Sequence, residues 1–121
     1  EQGATALAAG LAKISALRFF SMRGNYIGPE GAARIVETGL RPHSQLTELD
    51  LGDNELGDDG ATALSMLGVN QLTSLDLDSN NIQSAGISAL AGWFASSCSA
   101  LRKLCVGNNP LEQDGAVGFE P

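Results

Sequence analysis

The sequence predicts an α/β solenoid, in which short parallel strands and helices alternate in stacked units. The first observation is a pattern of apolar residues, one asparagine and one glycine that returns at intervals of 26 or 29 residues. The second is composition, because 15 of the 121 residues are glycine and 43% are hydrophobic. A repeat that carries its own turn residues indicates many small units that share one continuous core.

The repeating pattern is L-x-x-L-x-L-x-x-N-x-L-x-x-x-G-A-x-x-L, with other apolar residues substituted at the apolar positions. Full copies start at about residues 17, 46, 72 and 101, and a partial copy fills residues 1–16. The last copy closes on Leu111, Gly115, Ala116 and Phe119. The sequence therefore predicts one repeat array over residues 1–121, and we expect this array to be a fragment of a longer one.

Each copy predicts a strand, a turn and a helix, in that order. The L-x-L core is a short strand whose alternate residues point inward, and helical periodicity follows the glycine. Gly31, Gly60, Gly86 and Gly115 are expected just before the helix, where a close approach or a positive φ favours glycine. The unequal copy lengths predict insertions in the loop before the next strand, at Arg41–His43 and Ser96–Cys98. The predicted inward helical stripes are Ala4-Leu7-Ala8-Leu11, Ala32-Ile35-Val36-Gly39, Ala61-Leu64-Ser65-Gly68 and Ile87-Leu90-Ala91-Phe94.

One asparagine per copy lies where the chain leaves its strand. An amide side chain both donates and accepts hydrogen bonds, so it satisfies turn backbone that would otherwise be buried unpaired. Stacked copies are expected to form a structural ladder of these side chains: Asn25, Asn54, Asn80 and Asn109.

This motif, its length and its full helix per unit resemble leucine-rich repeats of the ribonuclease-inhibitor type. The asparagine in every copy is most similar to repeats of the Ran GTPase-activating protein and of nucleotide-binding, leucine-rich-repeat immune receptors. The resemblance implies a curved solenoid with a parallel β-sheet on its concave face and α-helices on its convex face.

The variable residues of each strand are expected on the concave face, in three columns that cross the sheet. The inner column is Ser21, Asp50, Asp76 and Cys105; the N-side column is Phe19, Glu48, Ser74 and Lys103; the C-side column is Arg23, Gly52, Asp78 and Gly107. No Lys or Arg occurs between Arg41 and Arg102, so the middle of this face is acidic.

Two interpretations of the acidic centre stay open. It is either a solvated face that keeps the array soluble or a docking patch for a basic segment of a partner protein. Asp50 and Asp76 should be neighbours, and that like-charge pair is easier to understand if a cation sits between them. Neither a preorganised loop nor a histidine supports a metal site, so no metal and no cofactor are predicted. The candidate partner-binding residues are Phe19, Arg23, Glu48, Asp50, Asp76, Asp78 and Lys103.

Trp93 falls off the predicted inward stripe, which suggests a half-buried side chain between helices or an anchor for a partner on the convex face. Cys98 and Cys105 are expected on different faces of one unit, which disfavours a disulfide between them. With two cysteines, the composition favours a reducing compartment, and we expect the chain to be cytoplasmic.

Several function classes are disfavoured. A formal net charge of −7 argues against nucleic-acid binding, and no apolar run is long enough to span a membrane. His43 is the one histidine, so no catalytic triad can be assembled, and glycine-rich nucleotide-binding motifs are absent. The sequence therefore predicts no enzyme.

The expected function is that of a non-catalytic scaffold for protein–protein interaction, which uses the concave sheet or the convex helices. One alternative, implied by the resemblance, is a GTPase-activating segment of the Ran type, although neither Arg18 nor Arg23 matches a known catalytic position. Another is a structural subunit of a large assembly. In either case neighbouring repeats or subunits are expected to cover the open ends of the array.

Overall fold

The computed structural model describes residues 2–14, 16–41, 45–67 and 71–110. It confirms the α/β fold: four parallel strands pair in chain order, and each is followed by helix or by the next turn. The strands are β1 (Phe19–Ser21), β2 (Glu48–Asp50), β3 (Ser74–Asp76) and β4 (Lys103–Cys105). The α-helices are α1 (Gln2–Leu11), α2 (Gly28–Arg34), α3 (Gly57–Leu64) and α4 (Ser84–Ser97). Predictions made for His43, Gly68, Leu111, Gly115, Ala116 and Phe119 lie outside the described residues.

The strand register follows the repeat. Phe20 pairs with Leu49, Leu49 with Leu75, and Leu75 with Leu104, so the middle residues of the four strands form one inward row. Leu49 and Leu75, in the two central strands, are fully buried, because each strand has a neighbour on both sides and its inward side chain belongs to the same core cluster as the buried helix residues. The flanking strands are less covered, and Leu104 is only partly buried.

The core continues from the sheet into the helices. Every aliphatic residue of the pattern is buried in the two central units, including Leu51, Leu56, Leu77 and Ile82. Helix α3 packs against α2 on one side and α4 on the other, so the helices form a second layer behind the sheet. In the described part of the chain, no helix is both long and apolar enough to cross a membrane.

The described pattern glycines, Gly31, Gly60 and Gly86, lie inside the first turn of their helices, not before it as predicted. A Cβ on Gly31 would lie 2.7 Å from the Ile27 side chain, and a Cβ on Gly60 would lie 2.7 Å from Leu56. None of these glycines has a positive φ, so close approach is the physical reason for the residue type. The glycine lets the preceding aliphatic side chain fold back over the first helical turn.

The loop insertion predicted at Ser96–Cys98 is wrong, because these residues form the end of α4 and its cap. Of the insertion predicted at Arg41–His43, Pro42 and His43 lie outside the described residues. Ser96 and Ser97 form the last residues of α4, and Cys98 follows as its buried C-terminal cap. After α2 the chain continues as a π-helix over Ile35–Leu40, whereas the shorter unit continues after α3 as a 3₁₀-helix over Ser65–Leu67. In the unit that contains α4, the extra residues are therefore accommodated by a longer helix.

Trp93 is fully buried, with 3% of its surface exposed, so the predicted half-buried position was wrong. The inward stripe of α4 begins one residue earlier than predicted, at Gly86, and reaches Trp93 through Leu90. Ala91, which was placed on the stripe, is exposed. Among the described residues, no hydrogen-bond acceptor reaches the Trp93 Nε1 atom.

The pattern asparagines form a continuous hydrogen-bonded ladder. The Asn80 side chain donates to the carbonyl oxygens of Leu51 (2.9 Å), Leu77 (3.1 Å) and Asp78 (3.2 Å). Its Oδ1 accepts from the backbone N–H groups of Asn54 (2.9 Å) and Leu56 (3.2 Å) in the preceding unit. Each asparagine thus closes its own turn and joins it to the turn of the unit before.

Asn54 and Asn109 repeat this arrangement. Asn54 Oδ1 accepts from the N–H of Asn25 at 2.9 Å, and Asn109 Oδ1 accepts from that of Asn80 at 2.8 Å. Asn54 and Asn80 are completely buried, whereas Asn25 at the edge of the sheet is exposed and donates only to Met22 and Arg23 of its own turn.

Replacing Asn80 with alanine should lower the free energy of unfolding by about 3 kcal/mol, because several buried backbone groups lose their partner at once. The matched Asn25→Ala change removes two exposed hydrogen bonds and should cost about 1 kcal/mol. Chemical denaturation of both variants measures the difference. Equal losses would contradict the ladder as a main source of stability.

Two glycines of α4 should respond to alanine in opposite directions. A Cβ on Gly86 would lie 2.6 Å from the Asp58 carboxylate, 2.7 Å from Ile82 and 3.1 Å from the Asp58 backbone, so Gly86→Ala should destabilise by about 2 kcal/mol. Gly92 is exposed and a Cβ there meets nothing within 4 Å. Gly92→Ala should therefore stabilise by about 0.5 kcal/mol through helix propensity. Thermal melts of the two variants test this, and a shift of the same sign in both would refute it.

Candidate partner-binding face

The strand register places the predicted columns on the concave face. Phe19 pairs with Glu48, Glu48 with Ser74 and Ser74 with Lys103, which forms the N-side column. The inner column follows in the same way, with Ser21, Asp50, Asp76 and Cys105 side by side. Backbone hydrogen bonds continue the pairing beyond the strands and align the C-side column of Arg23, Gly52, Asp78 and Gly107.

Arg23 joins the two aspartates of the inner column. Its Nη1 atom lies 3.1 Å from Asp50 Oδ1 and 3.1 Å from Asp76 Oδ2. The Arg23 side chain therefore reaches from the unit at the edge of the sheet to carboxylates of the next two units. Its guanidinium offsets the repulsion between these two adjacent negative charges. The hydrogen bond to Asp50, followed by the attraction of Asp76, raises the pKa of Arg23 above its ordinary value.

Gly52 makes room for this guanidinium. A Cβ on Gly52 would overlap the Arg23 Nη1 atom and would lie 2.7 Å from its Cζ. Gly52 and Arg23 are neighbours in the C-side column, so the absence of a side chain at one position lets the other lie flat across the strand. Gly52 thus shapes the acidic centre, a role that the sequence analysis did not assign to it.

Backbone N–H groups hold the carboxylates in place. Asp50 Oδ1 accepts from the N–H of Gly52 at 3.0 Å, and Asp76 Oδ1 accepts from that of Asp78 at 3.0 Å. Asp78 Oδ1 in turn accepts from the N–H of Gly107 at 2.6 Å. Each carboxylate is therefore anchored to the turn behind it, independently of Arg23.

A shallow depression of about 160 Å³ opens on the same face, above Leu49. Phe19 forms its wall at one edge of the sheet with 57% of its surface exposed, and Lys103 closes it at the other edge. Its remaining lining residues are polar or acidic: Glu48, Asp50, Ser74 and Asp76. The depression thus combines an exposed aromatic ring, carboxylates and one ammonium group.

Asp76, Asp78 and Cys105 bring their side-chain ligand atoms within 4.8 Å of one another. The sequence predicted no metal here, and the two carboxylates already have partners, since Asp76 Oδ2 faces Arg23 and Asp78 Oδ1 accepts from Gly107. Cys105 is half-buried on the concave face, whereas Cys98 is buried at the end of α4.

The structure therefore groups the predicted residues in two sets. Arg23, Asp50 and Asp76 form one ion-paired cluster, with Asp78 beside it. Phe19, Glu48 and Lys103 line the depression. The pairing of Arg23 was not predicted. An arginine that shares a column with a glycine, next to two aspartates, is compatible with this pairing but does not specify it.

Comparisons with known proteins agree with this architecture. Residues 44–65 and 70–91 match a family model described as a leucine-rich repeat. No curated protein matches the chain significantly. Neither finding distinguishes a ribonuclease-inhibitor-type array from other leucine-rich repeats.

Among solved structures, the chain is similar to one titled "Leiomodin-1 Actin-Binding Site 2 (ABS2)". The TM-score is 0.75 over 97% of this chain and 67% of that chain, with 21% sequence identity. At that identity the likeness shows the fold. The chain is a leucine-rich-repeat solenoid in fold, and its two central units carry the family's sequence pattern.

Proposed function

We propose that this chain is a non-catalytic recognition module that binds another protein through its concave face. The observation that carries the proposal is Phe19, a large aromatic side chain that is 57% exposed beside a charged depression. Aromatic residues on a rigid support are frequent energetic centres of protein interfaces, because their burial removes much apolar surface at little entropic cost.

The rigidity of the support favours recognition through this face. The ladder asparagines and the strand register fix each column, and the carboxylates are held by backbone N–H groups. Little ordering is then required when a partner binds, so more of the interaction free energy appears as affinity.

The charges of the face select the partner. Glu48 on β2 and Lys103 on β4 are best matched by a segment that presents a basic side chain and an acidic one two strand spacings apart. Actin is the first purified candidate to test, because the similar solved structure is titled as an actin-binding site. The proposed location is intracellular, where the thiol of Cys105 would stay reduced.

In the described part of the chain we find no residue that supports either alternative function. A GTPase-activating role of the Ran type would use an arginine directed at a nucleotide, and neither Arg18 nor Arg23 matches a known catalytic position. A hydrolysis assay with purified small GTPases tests that role. A structural subunit would use the edges of the array, and substitutions on the concave face would then leave assembly intact.

A photo-crosslinking residue placed at Ser74 on the concave face should capture a bound partner, and the same residue at Thr62 on the exposed side of α3 should not. With the captured partner purified, Phe19→Ala should weaken binding at least about tenfold, as expected when an aromatic anchor of an interface is removed. Isothermal titration calorimetry measures the affinity.

Met66→Ala is the matched control, because Met66 is a similarly exposed apolar side chain away from the sheet. Its affinity should equal that of the unmodified chain. Capture from Thr62 alone, or full affinity after Phe19→Ala, would show that the concave face is not the binding surface.

A further inference from the structure

We propose that Asp50 and Asp76 form a seat for a basic side chain of the partner, and that Arg23 occupies this seat until the partner displaces it. The inference rests on the proposed use of the concave face and names the chemistry recognised there: a guanidinium or ammonium group in a protein segment.

The chain itself shows what the seat accepts. One nitrogen of a guanidinium lies 3.1 Å from a carboxylate oxygen on each of two neighbouring strands. A cation between two carboxylates that are fixed by the sheet relieves their mutual repulsion. Any basic side chain that reaches the same point from solvent gains the same interactions.

Solvent reaches the seat. The Arg23 side chain is 44% exposed, and those of Asp50 and Asp76 are 27% exposed. Ion pairs with this exposure hold their members weakly, because water and salt screen the attraction. Exchange of one cation for another therefore requires no opening of the core.

The seat also persists when Arg23 leaves. The N–H groups of Gly52 and Asp78 each hold one carboxylate oxygen, and neither bond involves the guanidinium. Arg23 enters from the side, over the backbone of Gly52, at the end of a long unbranched side chain. When Arg23 leaves, a preformed pair of carboxylates becomes available at the border of the depression beside Phe19.

Arg23 competes with the partner for the seat. The apparent affinity for a basic partner is therefore its intrinsic affinity multiplied by the fraction of molecules in which the seat is empty. Segments that offer only a positive charge would gain little, since they must also displace Arg23. Segments that make additional contacts, for example with Phe19, would bind well. Arg23 thus acts as a specificity-determining residue of the concave face.

The test measures binding of a hexa-arginine peptide by fluorescence anisotropy at fixed salt. Arg23→Gln should tighten binding at least about fivefold, because the competitor is removed. Arg18→Gln is the matched control: it removes the same charge near the same edge from a residue outside the seat, so it should change affinity less than twofold. Adding Asp50→Asn and Asp76→Asn to Arg23→Gln should abolish the gain. Circular dichroism verifies the fold of each variant.

Equal effects of Arg23→Gln and Arg18→Gln would overturn the proposal, as would a gain that survives loss of both aspartates. A second measurement on the unmodified chain needs no substitution in the seat. The NMR signal of the Arg23 guanidinium, assigned by its absence in Arg23→Lys, should move to the position of an unpaired arginine as the peptide saturates; a signal that stays in place would refute displacement. Binding that depends on Phe19 but not on Arg23 would leave the proposed function standing and reject only the seat.

Discussion

The asparagine ladder is the interaction on which the rest of the structure depends. Each inner amide closes the turn of its own unit and takes two N–H groups of the unit before, so local and inter-unit bonding are satisfied together. The turns around it pass repeatedly through positive φ at residues other than glycine, including Asp53, Glu55, Ser79 and Asn81. Such conformations carry strain, and buried hydrogen bonds to the amide offset it.

The ladder also fixes the position of the helices on one side of the turns and of the strands on the other. Because each turn leaves its strand at the same point, the aliphatic residue that follows enters the core and the helix begins at a set distance. The strands are held in register on the other side, which aligns the columns of the concave face. Arg23 contacts Asp76, which is 53 residues away in the chain. This contact requires the three units to stack in register, with no shift of the strands at either boundary between units.

The asparagine ladder and the strand register that it fixes explain how much of the structure the sequence predicts. Strand order, register and the columns could be predicted, because stacking of identical units leaves no other arrangement. The Arg23 pairing could not, since the repeat fixes where Cα atoms lie and says nothing about which long side chain crosses to another unit. The helices were predicted less well for a similar reason: α4 absorbs extra residues and Trp93 shifts its stripe, which depends on packing volume and not on periodicity.

The surface charge shows the same difference between what the repeat predicts and what a single side chain decides. A formal net charge of −7, concentrated in the central units, suggests an open acidic patch. The inner column is instead partly neutralised by a cation from the edge of the sheet, and a glycine in the path of that cation permits the contact. Electrostatic attraction toward the face and occupancy of its central carboxylates are therefore separate properties. The first follows from summed charge and steers encounter, whereas the second follows from one side chain and governs which encounters become complexes.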